Sequence, residues 1–186
     1  MPQRTKVTPA ESGNYLMTNI WLLDDKFMTY SAAYSDLEIK KIIEDTFKND
    51  KTDLPIGDKK RPDMVVLYNK DINHDAIVVE FKGANASFDE KRKASSEIKY
   101  NCYSLRQKTS EINTIWSYII TSIDTEYESS LLSDDYIPLF TNAKNGKMFY
   151  YFAKNANAHI YVLDINAITE DAFARNKTFL NILKNH

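Results

Sequence analysis

The chain reads as an α/β protein, a mixed β-sheet flanked by helices. Three observations predict that class. Apolar residues recur at three- and four-residue steps in several stretches, short β-branched and aromatic runs lie between them, and the two patterns interleave along the chain. At 186 residues the chain is expected to form one domain with a substantial core.

The elements follow in order. Residues 1–14 carry no sustained pattern, because the turn that Thr8-Pro9-Ala10-Glu11 would start is stopped by Ser12-Gly13-Asn14. A single domain is expected over 15–186. Leu16, Ile20, Leu23, Phe27, Tyr30 and Tyr34 make one face of a long amphipathic helix. A second helix is expected over Asp36–Phe47, with Ser35 as its N-cap and Ile39, Ile42, Ile43 and Phe47 facing inward. Polar residues 48–60 read as a loop broken by Pro55 and Gly57. Two strands, Asp63–Asn69 and Ala76–Lys82, come next. Ser87-Phe88-Asp89-Glu90 is a capping box that starts a helix near Phe88, with Ala94, Ile98, Cys102 and Leu105 as its buried stripe. Thr114–Thr121 reads as a central strand. An acidic loop over 124–135, strands over Met148–Phe152 and His159–Asp164, and a last helix capped by Thr169 and reaching about Leu183 complete the chain.

Composition excludes several classes of function. Hydrophobic residues at 43% and charged residues at 27% suit a globular protein rather than a disordered one. No apolar stretch approaches the about 18 residues that span a bilayer, so no membrane partner is expected. Met1-Pro2-Gln3-Arg4-Thr5-Lys6 has no apolar core behind it, which argues against a secretory leader and makes the cytoplasm the expected compartment. Cys102 is the one cysteine, excluding an internal disulfide and a cysteine-based zinc site. The net charge of −2 is unevenly spread. Between Lys59 and Lys108, 11 Lys/Arg face 7 Asp/Glu, so the middle of the chain is basic and its flanks acidic. A basic middle suits a phosphate backbone, although charge alone fits a solvated face equally well.

The chemistry concentrates in the hairpin. Six times an acidic residue stands two places before a lysine, but only Glu80-Phe81-Lys82 closes an apolar strand. Alternation puts Glu80 and Lys82 on one face and Val79 and Phe81 on the other. Folding the two strands about a six-residue loop, Lys70–Asp75, sets Asp63 opposite Lys82 and Val65 opposite Glu80. Asp63, Glu80 and Lys82 then converge at one end of the sheet. A register slip of two residues keeps that shared face, and a slip of one destroys it. Two carboxylates suit a hard cation such as Mg²⁺, which binds through one or two carboxylates, waters and substrate oxygens. On this reading Asp63 and Glu80 are the metal ligands, helped by the Phe81 carbonyl, while Lys82 positions a water or stabilises charge on a phosphate. The bland alternative for Glu80 and Lys82 is an exposed ion pair.

Other chemistry is weakly represented. His74, His159 and His186 lack metal-ligand spacing and read as a turn, a strand and a tail residue. With 4 glycines there is no phosphate-binding glycine loop. Asp71–Asp75 lacks the glycine and the terminal glutamate of a calcium loop and reads as the hairpin turn.

Pro62-Asp63, 16 intervening residues, and Glu80-Phe81-Lys82-Gly83 together resemble the signature of the PD-(D/E)XK nuclease superfamily, which includes restriction endonucleases and Holliday-junction resolvases. More specifically, Asn19-Ile20-Trp21-Leu22-Leu23-Asp24-Asp25-Lys26-Phe27 with Arg61-Pro62-Asp63-Met64-Val65-Val66 is similar to nuclease-like domains at the C-terminus of bacterial GHKL-type ATPases, several of them linked to defence. The likeness covers about residues 15–108. It implies a restriction-endonuclease-like sheet and Mg²⁺- or Mn²⁺-dependent hydrolysis of phosphodiester bonds, with DNA as partner and Asp63, Glu80 and Lys82 as the catalytic set. It also implies a GHKL-type ATPase region, or a second copy of the chain, as a further partner. Many members add an acid on the first helix, for which Asp24, Asp25 and Glu38 are candidates, and a Gln or Tyr on the helix after the motif. Glu38 stands three residues after Ser35 and also fits a capping box, while Glu97, Tyr100 and Tyr103 are candidates to line the site. The alternative is the same fold without catalysis, serving DNA or partner binding within a larger ATPase assembly.

Overall fold

The β-branched and aromatic runs become strands, and two short strands that the pattern does not announce join them. The computed structural model describes residues 32–35, 38, 39, 41, 42, 61–70, 73–108, 111–141, 143, 144 and 146–184. Over these, the strands are β1 (Ala32–Ser35), β2 (Met64–Lys70), β3 (Asn73–Phe81), β4 (Ile112–Thr121), β5 (Ile137–Leu139), β6 (Met148–Ala153) and β7 (Ala158–Asp164). The helices are α1 (Phe88–Lys108), α2 (Thr125–Ser133) and α3 (Ile165–Lys184), and a 3₁₀ turn covers Lys154–Ala156. All seven strands form one mixed sheet in the order β1-β2-β3-β4-β7-β6-β5. The three central strands, β3, β4 and β7, run parallel, and the pairs outside them are antiparallel. The α/β class and the mixed sheet flanked by helices are therefore as expected from the sequence.

Each face of the sheet carries its own core, as strands with helices on both faces require. On one face Val65, Ala76, Val78, Ile115, Ile119, Ile160 and Val162 pack under α1 and α2. The stripe Ala94, Ile98, Cys102 and Leu105 is fully buried there. Two polar contacts fix this packing, a 2.9 Å bond between Cys102 and Ser117 and a 2.7 Å bond between Ser95 and Tyr127. On the other face Ile77, Val79, Tyr118, Ile120 and Leu163 pack with Ile168 of α3. An aromatic ladder extends that face across β4, β7 and β6. Trp116 stacks on His159 at 4.4 Å, and Tyr118 stacks on Tyr161 at 5.3 Å. His159 is thus the expected strand residue, whereas His74 lies in β3 rather than in a turn.

Several expectations change. Ala32–Ser35 is a strand paired with β2, so the first helix cannot run to Tyr34, and Ser35 ends β1. The rest of that helix and the 1–14 segment lie outside the described residues, as do residues 48–60. Ile39 and Ile42, from the expected second helix, are buried in the core beside α1. The acidic stretch 124–135 is not a loop but holds α2. Asp124 caps it by accepting from the Tyr127 N–H at 2.8 Å, and Glu126 and Glu128 complement the positive end of the helix dipole. Tyr127 and Leu131, four residues apart, are its buried pair. The last helix begins at Ile165, not near Thr169. Asp164 accepts from the Asn166 N–H at 2.8 Å and does the capping, while the Thr169 hydroxyl donates back to Ile165 and Asn166 within the helix. At the sheet edge, β5 is a three-residue strand with Pro138 at its centre.

Gly146 packs against the first turns of α3. A Cβ built there would lie 2.4 Å from the Ala167 amide nitrogen, a contact with backbone that no rotamer change relieves. Gly146→Ala is expected to lower stability by about 1–3 kcal/mol, read as a reduced denaturation midpoint in urea.

Candidate functional site

The site sits at the carboxyl end of β3, where the parallel strands stop and α1 begins. In open α/β sheets this end is where ligands bind, because the loops diverge there. The hairpin that builds it is tighter than expected. Val65 pairs with Val78 and Lys70 with Asn73, so only residues 71 and 72 stand between the strands and the six-residue loop is not formed. Relative to the expected pairing the register is slipped by two residues. Extending the Met64–Val79 pair by one residue sets Asp63 opposite Glu80 rather than opposite Lys82. A two-residue slip preserves parity, so Asp63, Glu80 and Lys82 still share the α1 face.

Local chemistry places Asp63. Pro62 is buried just before β2 and has no N–H to continue the ladder. Phe81, opposite Pro62 in the extended register, gives its N–H to Asp63 Oδ2 at 2.7 Å instead. The Asp63 carboxylate is thereby pinned over the end of β3. Upstream, Arg61 donates to Glu38 at 2.8 Å, which anchors the approach to the site. Glu38 is therefore engaged with Arg61, and Asp24 and Asp25 lie outside the described residues.

Glu80 is the buried member, 6% exposed, next to Val78 in the same core face. Its Oε1 accepts from Lys82 Nζ at 2.6 Å, and the Lys82 side chain remains about a quarter exposed, at 25%. Burial pushes the Glu80 carboxyl above its ordinary range. The Lys82 hydrogen bond opposes that push, and the charges of Asp63 and Glu97 reinforce it. Lys82 loses solvation too, but the bond to Glu80 and the attraction of Glu80, Asp63 and Glu97 raise its pKa overall. The two shifts have different main causes, burial for Glu80 and the neighbouring carboxylates for Lys82.

Glu97, one of the three candidates on α1, is thus electrostatically coupled to the site. Tyr100 and Tyr103 are exposed on the outer side of the same helix, and Gln107 donates to the Tyr103 hydroxyl at 2.6 Å. Lys99 points the other way, over the rings of Tyr136 and Tyr151 at 4.8 and 4.2 Å. Helical geometry therefore sends the Glu97 flank toward β3 and the Lys99 flank toward β6. The bland reading of Glu80 and Lys82 as an exposed ion pair does not hold, since Glu80 is buried.

Asp63 and Glu80 each use one oxygen in these bonds, leaving Asp63 Oδ1 and Glu80 Oε2 as further oxygen donors. A pair of hard carboxylate oxygens in a negatively charged setting fits Mg²⁺ or Mn²⁺ completed by waters and substrate oxygens. Among the described residues, no group of three or more His, Cys, Asp and Glu side chains is arranged to hold a metal ion. Among the described residues, no helix is long and apolar enough to cross a membrane. Comparisons of the chain with protein-family models, curated proteins and solved structures find no match.

The raised pKa of Glu80 has a definite sign in stability. A carboxyl held more tightly protonated in the folded state contributes stability that is complete below its ordinary value of 4.5 and is lost as pH rises through the folded value. Glu80→Gln removes that loss. Its melting temperature relative to wild type is expected to rise between acidic and neutral pH, as measured by thermal denaturation in the presence of a chelator.

Proposed function

We propose that the protein is a Mg²⁺- or Mn²⁺-dependent nuclease acting on DNA. The observation that supports this most is the meeting of Asp63 and Glu80 on one sheet face beside Lys82, two carboxylates of a kind that a divalent cation would bridge to a phosphate. The resemblance of Pro62-Asp63 and Glu80-Phe81-Lys82 to the PD-(D/E)XK signature supports the same reading, as does the basic stretch of α1 that follows.

On this reading Asp63 and Glu80 hold the cation. When bound, it lowers the pKa of a coordinated water and offsets charge building on the phosphoryl group. The rest is done by the chain. Asp63 is kept in place by the Phe81 N–H, which fixes one ligand without the aid of a long side chain. Lys82, its pKa raised by its partners, is an ammonium at neutral pH. It acts as a hydrogen-bond donor that orients the attacking water and stabilises the developing phosphorane charge, not as a general base. Glu80 holds that ammonium until substrate arrives. Arg92 and Lys93, exposed on the first turns of α1, suit the phosphate backbone on either side of the scissile bond.

A second reading, a domain that binds DNA or a partner without cutting, draws on the exposed Arg92 and Lys93 of α1, which suit a phosphate backbone whether or not it is cut. The two separate in one assay. Supercoiled, linear and single-stranded DNA are incubated with the protein and Mg²⁺, Mn²⁺ or EDTA, beside Asp63→Ala and Lys82→Ala. Nuclease action is expected to require metal and to vanish in Asp63→Ala. Lys82→Ala is expected to lower the rate by about 10²–10³-fold, the usual cost of one transition-state donor, with DNA affinity unchanged. Binding without cleavage by the wild-type protein would establish the second reading.

A further inference from the structure

Lys82 has a second neighbour besides Glu80. Its N–H donates to the Ile120 carbonyl at 2.9 Å, and extending the Phe81–Ile120 pair by one residue sets Lys82 opposite Thr121. Thr121 therefore stands directly beside Lys82, and alternation along β4 puts it on the α1 face with Ile119 and Ser117. It is fully buried, at 0% exposure, and its hydroxyl has no hydrogen-bond partner. Ser117, two repeats earlier on the same strand and face, is bonded to Cys102.

The neighbouring polar groups bond elsewhere. Lys82 Nζ donates to Glu80. Asp164, the partner of Thr121 on β7, accepts from the N–H groups of Ile123 and Asn166, both at 2.8 Å. Valine fills the same space without a polar atom and suits a strand at least as well. A buried donor with no protein partner is the setting in which an ordered water is found, because one water satisfies several such groups together.

We infer that Thr121 is a positioning residue of this site: its hydroxyl holds a water beside Lys82 and Glu80, in place to become the nucleophile of hydrolysis. The inference rests on the nuclease reading for the fate of the water, though not for its presence. Thr121 fixes the water from below the sheet end, and the Lys82 ammonium orients it from the open side. Side-chain branching suits the task, since a β-branched residue in a strand has few rotamers and so holds its hydroxyl in one direction.

The test uses Thr121→Val, which keeps shape and removes the hydroxyl, and Thr121→Ser, which keeps the hydroxyl. Crystals of wild type and Thr121→Val are compared for an ordered water within hydrogen-bonding distance of Oγ1. Thr121→Val is expected to lose that water, melt no lower than wild type and show kcat reduced about tenfold at unchanged KM, the rate equivalent of one hydrogen bond. Thr121→Ser is expected to retain both water and rate. Wild-type kcat in Thr121→Val overturns the inference. So does a loss of activity that accompanies a lower melting temperature and is not restored by serine, because that marks packing alone. If the wild type cuts no DNA, the nuclease reading fails by itself, and the density at Thr121 then decides whether the water is held.

Discussion

The pairing of β2 with β3 is the constraint on which the candidate site depends. Strand geometry offers only two outcomes for Asp63, Glu80 and Lys82: all on the α1 face, or Asp63 turned away from the other two. The Val65–Val78 pair selects the first, because both valines are buried in the core under α1. Turning Asp63 away would therefore take Val65 out of that core. Burial of a valine side chain is worth about 1.5–3 kcal/mol, more than a surface ion pair returns. Hydrophobic packing, with no stake in the chemistry, sets the direction of the carboxylates.

The same packing creates the tension at Glu80. The carboxylate continues a row of apolar side chains, Ala76 and Val78, into a place where water is scarce. A single ammonium relieves part of the desolvation but not the repulsion from Asp63 and Glu97. Around it the frame is firm. Asp124 anchors Lys91, buried on α1, at 2.6 Å, and Ser122 donates to the Ala84 carbonyl at 2.7 Å. These bonds tie the loops after β3 and β4 together beside the site.

Much of this was legible in the amino-acid order, and the failures have physical causes. The buried stripe of α1 was readable because Ala94, Ile98, Cys102 and Leu105 are spaced for one helix face and all four are core. The shared face of Asp63, Glu80 and Lys82 was readable because parity survives a two-residue error. The register itself was not, since Asn69, Lys70, Asn73 and His74 are polar and continue the ladder beyond the apolar core. Helix α2 was hidden for a related reason. Its acids read as a solvated loop, while only Tyr127 and Leu131 reach the core, and Asp124 alone signalled a cap. β1 and β5 are too short for a period to show. Thr121 was visible as a strand residue, but a missing hydrogen bond is a property of its neighbours and leaves no trace in sequence.

The far end of the sheet has a different significance. β5 exposes Ile137 and Leu139, and Phe140 just beyond it is 87% exposed, a composition that would invite another chain. Yet the strand is three residues long with a proline in the middle, and proline withholds the amide that a further strand would need. Stickiness and template are separated. The sheet can attract apolar surface at this margin, but it cannot grow there by backbone pairing, so a chain with an open hydrophobic rim is guarded against fibrillar self-addition along that side.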